Sequence, residues 1–97
     1  MEESIEKGTK WVVFEPNNEV LWLKLVVAIA EFLLKQWRGG ALMGNKPEEA
    51  FFVRCDRTTM TQDDIDNGRL IVYVGLAPIK PAEFMIFKVL HVLNSVH

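Results

Sequence analysis

Fifteen residues from Val20 to Leu34, VLWLKLVVAIAEFLL, restrict the possible folds of this chain more than any other stretch. Lys24 and Glu31 interrupt the run, and a bilayer span needs about 20 apolar residues with few charges, so it reads as a buried or docked helix. Asn17 or Asn18 offers an N-cap after Pro16, Glu19 suits the first turn, and Gly39-Gly40 supplies a left-handed stop. The helix is therefore predicted from about Asn18 to Arg38, with Lys35 and Arg38 favourable in its last turns and Glu31 placed for an i,i+4 pair with Lys35. Its polar stripe is narrow. Lys24, Glu31, Lys35 and Arg38 share one side, while Leu21, Trp22, Leu25, Val26, Ile29, Phe32, Leu33 and Trp37 cover most of the rest. A helix lying on one sheet needs an apolar stripe only a little over about 100° wide. This one has more apolar surface than a one-helix domain readily hides.

The 97 residues are expected to form one domain, or a piece of a larger protein. A chain of this size buries only about 60–70% of its unfolded surface, so a single modest core is anticipated. Eleven basic residues against 13 acidic ones, with no basic cluster, leave no footprint for nucleic acid. The one cysteine, Cys55, has no internal disulfide partner, which makes a reducing compartment the default expectation. The opening MEESIEKGTK is acidic and polar, unlike a signal peptide.

Residues 1–10 are expected to be a flexible lead. Trp11 to Phe14 then reads as a short strand, β-branched and aromatic. After the predicted helix comes a Gly/Pro loop and a strand from about Ala50 to Cys55. Thr61 with Asp64 matches a capping box and Asn67-Gly68 a helix stop, predicting a short helix over Gln62 to Asp66. The stretch RLIVYVGL is apolar on both faces and should be a central strand. Pro78 and Pro81 then make a stiff, extended spacer from Ala77 to Pro81 ahead of a last strand, Ala82 to Val89. The fold class expected is α+β: one long helix on a small, mainly antiparallel sheet of three or four strands, plus a short helical turn and an extended C-terminal arm.

Few residues are arranged for chemistry. Read as a calcium loop with Gly68 at its sixth position, the Asp63 to Gly68 cluster would need an oxygen ligand at Ile65 and a glutamate at Val74. Both fail, and the acids suit the start of a capped helix. Cys55 alternates with Phe51 and Val53, so its thiol should point into the core rather than act as a nucleophile. His91 and His97 fall in the last seven residues, where mobility argues against a catalytic base. Two histidines and one cysteine give no metal-ligand spacing, and no phosphate-binding or nucleophile-elbow pattern occurs. Trp11, Trp22 and Trp37 suit core or interface anchoring, and Pro78-Ile79-Lys80-Pro81 is a weak PxxP match better read as structural. No catalytic, metal or cofactor-binding residue is assigned, and no enzyme is expected.

The separated stretches VFEPNNEVLW, WRGGALMG and PEEAFFVRCDRTTMTQDDIDNGRLIVYVGLAPIKPAEFMIF resemble the C-terminal domain of contractile-tail sheath proteins, in the family's order. The resemblance runs from Trp11 to about Lys88. It implies a structural subunit that self-assembles with other sheath subunits as hexameric rings around an inner tail tube and drives that tube out on contraction. It also implies an inner domain over 11–81, on the tube side, and a C-terminal strand, arm and tail over 82–97 that adds to a neighbour's sheet. Phe84, Met85, Ile86, Phe87 and Val89 are the candidate inter-subunit arm residues, and Lys24, Glu31, Lys35 and Arg38 the candidate tube-contact face. The setting implied is a phage particle or an injection apparatus assembled in the bacterial cytoplasm, with no cofactor, nucleic acid or membrane insertion. Sheath proteins are usually several hundred residues long, so the chain is expected to be a fragment of one or a short sheath-like product. A free-standing adaptor docking on a tail, tube or baseplate component is the alternative.

Overall fold

The computed structural model describes residues 2–79 and 83–93. Helix α2 (Glu19–Arg38) dominates one layer. Asn18 is its cap, accepting from Leu21 N at 3.0 Å, and it ends where Gly40 takes φ +84°, a backbone conformation that a Cβ resists. Asn17 has a different task. Its side-chain oxygen accepts from Trp22 Nε1 at 2.7 Å while its amide donates to Arg69 O at 3.2 Å, tying the start of α2 to the sheet.

The second layer is a three-stranded antiparallel sheet, order β1-β2-β3. Strand β2 (Arg69–Leu76) is central, as its two-sided apolar pattern predicts. β1 (Phe51–Arg54) pairs with its Tyr73 to Leu76 half, and β3 (Met85–Val92) pairs along its whole length, from Arg69 opposite Val92 to Leu76 opposite Met85. Leu21, Trp22, Leu25, Ile29 and Leu33 from α2 form the core with Leu70, Val72, Val74, Leu76 and Val89 from the sheet. The short helix α4 (Gln62–Asp66) carries the expected capping box between Thr61 and Asp64.

Several local expectations give way to tertiary packing. The acidic lead is helical: α1 (Glu2–Gly8) inserts Ile5 into the core. Trp11 to Phe14 is not a strand but lies within a 3-10 helix, Lys10–Phe14, that buries Val12. The segment packs on β3 without joining its ladder, and the tight turn closes its own bonds, Val12 N to Thr9 O and Glu15 N to Val12 O. The Gly/Pro loop contains one turn, α3 (Pro47–Ala50), with Pro47 pre-set for a first helical position.

The last strand is displaced from its expected range. β3 runs from Met85 to Val92 rather than from Ala82 to Val89, because the register that buries Val89 opposite Val72 continues through His91, opposite Leu70. His91 is thus a buried strand residue and not part of a mobile end. Pro81 and Ala82 lie outside the described residues, as does His97. The first part of the spacer is pinned to its own chain: Ala77 O accepts from Met43 N at 2.7 Å and Ile79 N donates to Ala41 O at 3.2 Å.

Candidate functional site

Three surfaces are left after the core is filled. The first is the pair of sheet edges. Among the described residues, no backbone hydrogen bond reaches the outward side of β1 or of β3. The two edges differ. β1 is four residues long, and beyond its end the Thr59 hydroxyl lies 2.8 Å from Ile71 O on that flank of β2. β3 offers eight residues, with α1 and the 3-10 helix packed against it. A strand edge of this length, mostly apolar and paired on one side only, is a template for another strand.

The candidate arm residues divide along β3 and its approach. Val89 faces inward and is buried, and Phe87 is half-buried opposite Val74. Phe84, Met85 and Ile86 are exposed, Ile86 at 63%. The structure therefore spends Val89 and much of Phe87 on the domain's own core and leaves the first three outside it.

The second surface is the sheet face turned away from α2. Phe52 lies over Gly75, where an added Cβ would collide with its ring, and stacks on Phe84 with centroids 6.1 Å apart. Ile86, Leu90 and Val92 extend this face, all exposed. The residue pattern hides most of it. A glycine inside a strand signals close approach, but the partner ring comes from a different strand, and Leu90 and Val92 belong to the part of β3 read as tail.

The third surface is the outward side of α2. Lys24, Glu31, Lys35 and Arg38 all lie exposed there, in the predicted row. Beside them runs a ridge of Val20, Leu23 and Val27, with Leu23 67% exposed. That ridge is the surplus apolar area which the helix pattern forecasts.

The chemistry-bearing groups are spoken for by structure. Arg69 bridges Asp63 at 2.7 Å and Asp64 at 2.8 Å, and Asp64 also accepts from Thr61 N, which holds its carboxyl below the ordinary range. Cys55 is buried, and burial, helped by the charge of Asp56, pushes its thiol up to about 12. Little thiolate forms at neutral pH. A thiol reagent should label the folded chain far more slowly than the chain in denaturant. Equal rates would show that Cys55 is open.

Sequence comparison with protein families matches residues 1–90 to the phage tail sheath C-terminal domain. The chain belongs to that family. It is a structural family, a domain of the sheath. The sheath domain is 47% identical to a chain in the cryo-EM structure of the anti-feeding prophage baseplate, six-fold symmetrised, with a TM-score of 0.77 over 89% of this chain and 24% of that one. It is 41% identical to a chain in the cryo-EM structure of an extracellular contractile injection system, the PVC sheath complex in its contracted state. There the TM-score is 0.76, over 98% of this chain and 26% of that one. The chain thus spans about a quarter of the length of these solved relatives. The search of curated proteins gave no match. Among the described residues no helix of the sheath domain is long and apolar enough to cross a membrane.

Proposed function

We propose that this chain is the inner domain of a contractile sheath subunit, joined to neighbouring copies by strand addition and seated on an inner tube that the sheath drives out. Its place would be an assembled contractile tail or injection particle. The observation that carries the reading is the eight-residue edge strand β3, apolar but for Lys88 and His91, ending a sheet whose family is the sheath C-terminal domain. Strand addition uses main-chain bonds for affinity and alternate side chains for choice of partner. Phe84, Met85 and Ile86 would meet the neighbour first, with Phe87 and Val89 exchanged from the domain's own core only if β3 itself changes partner.

The purified chain should associate more as its concentration rises. Ile86→Lys together with Leu90→Lys should keep it monomeric in sedimentation velocity, since charges on an edge strand oppose pairing. A wild-type chain that stays monomeric at every concentration would remove the support for strand addition.

The outward row of Lys24, Glu31, Lys35 and Arg38 is the proposed tube contact. A grip that must be released favours charged, modest contacts over a hydrophobic seal. Lys24→Glu with Lys35→Glu, carried in the assembled sheath, should weaken its hold on the tube, and more so at low salt. Indifference to both reversals and to salt would assign the row to solvent. A second reading, an adaptor at the end of a tail, takes its support from the likeness to a baseplate structure. Tubes formed by the whole gene product, seen by electron microscopy, favour the sheath; their absence, with binding to a baseplate, favours the adaptor.

A further inference from the structure

One buried side-chain pair joins the two ends of the described chain. His91 on β3 is 7% exposed, Thr9 between α1 and the 3-10 helix is 4% exposed, and His91 Nε2 lies 2.8 Å from Thr9 Oγ1. Thr9 Oγ1 is also 2.8 Å from Ile5 O and 3.3 Å from Glu6 O. A hydroxyl has a single proton to give. Donated to Ile5 O, it leaves Oγ1 to accept from Nε2–H, and this network assigns the neutral ring its tautomer. Nδ1 is then the free lone pair. It has no hydrogen-bond partner among the described residues and is not sealed from solvent, so a proton can arrive there without displacing Thr9.

The surroundings decide what that proton does. Across the ladder stands Leu70, which offers a charge nothing. Arg69, next along β2, is held by Asp63 and Asp64. From α1 comes Glu6, which favours a charged ring, and from the 3-10 helix Lys10, which opposes it. Burial is the largest influence and holds the imidazole below its ordinary value of 6.5.

We propose that the Thr9–His91 corner is a proton-sensitive latch: with a neutral ring it pins α1 and the 3-10 helix onto β3, and a proton taken up at Nδ1 keeps the bond to Thr9 but leaves a charge in a buried corner opposite Leu70, which loosens β3. The sign follows from linkage. The unfolded histidine titrates near 6.5 and the folded one below it, so the latch is whole above that value and weakens as pH falls through the window beneath it. Loosened β3 would be free to join another copy, a consequence that rests on the strand-addition reading given above.

Hydrogen exchange over β3, corrected for the intrinsic pH dependence of exchange, tests this on the 97-residue chain. Between about pH 7.5 and about pH 5, wild-type protection over β3 should be progressively lost, because the loosened state binds the proton more readily than the folded one. His91→Gln places an amide donor near Thr9 without a titrating ring, and its β3 should show no such fall. Thr9→Val should be loose at both pH values. Equal falls in wild type and His91→Gln would overturn the latch. If the variants do not fold, an NMR titration of the wild-type His91 ring decides: its midpoint should lie below the ordinary value and coincide with the loosening. A ring that titrates normally while β3 stays protected would overturn the proposal. Sedimentation velocity at both pH values separates the two ideas, since loosening without gain in association upholds the latch and tells against strand exchange.

Discussion

Replacing Leu25 by aspartate is expected to unfold the domain. Leu25 is fully buried at the centre of α2, between Leu21 and Ile29 on the same inward face. An unpaired carboxylate there costs several kcal/mol on top of the lost apolar contacts, where removal of a buried leucine side chain alone costs about 2–5 kcal/mol. A domain of this size has only about 5–15 kcal/mol to lose. Ile29→Asp should behave alike. Leu23→Asp, a few residues away but on the outward ridge, should stay within about 0.5 kcal/mol of wild type. Thermal unfolding followed by far-UV circular dichroism separates these outcomes. A Leu25→Asp chain that melts with the wild type would place the inward face of α2 outside the core.

Ending the chain at Pro81 should have a comparable effect, and one that can be reversed from outside. Truncation strips all eight ladder partners from the β3 side of β2 and uncovers Leu70, Val72 and Val74. It also removes the seat of Thr9. The shortened chain should lose its cooperative transition, and a synthetic peptide of residues 82–97 should restore it at concentrations that fill the groove. Rescue would show that the groove beside β2 accepts its strand from a separate molecule, the step that assembly by strand addition needs. A truncated chain with an unchanged transition would mean that β3 contributes nothing to this fold.

Features with local causes are the ones legible from residues alone. The Asn18 cap, the glycine stop and the apolar face from Leu21 to Leu33 fix α2 within a residue, and the Thr61–Asp64 box does the same for α4. β2 is legible because an unbroken apolar run on both faces suits a central strand. The rest depends on partners distant in sequence. Nothing near Ile5 foretells the pocket that makes a polar lead helical. Trp11 to Phe14 has strand-like residues, yet it packs on β3 as a 3-10 turn without joining the ladder. His91 masks the end of β3, since a histidine among apolar residues looks like a boundary until Thr9 supplies its hydrogen bond. The outward row on α2 is readable from helical spacing, whereas the Phe52–Phe84 stack requires knowing which strands adjoin.

The meeting of Thr9 and His91, 82 positions apart, also sets the mechanics of the domain. The incoming and outgoing chain pass through one corner, so the fold hangs beside the line of pull like a bead clipped to a cord. Tension between the chain before Thr9 and the chain after His91 is taken by that clasp and by the end of the β2–β3 ladder. The interface between α2 and the sheet lies off this line. Pulled from its two ends, the domain is expected to open at this corner before α2 parts from the sheet.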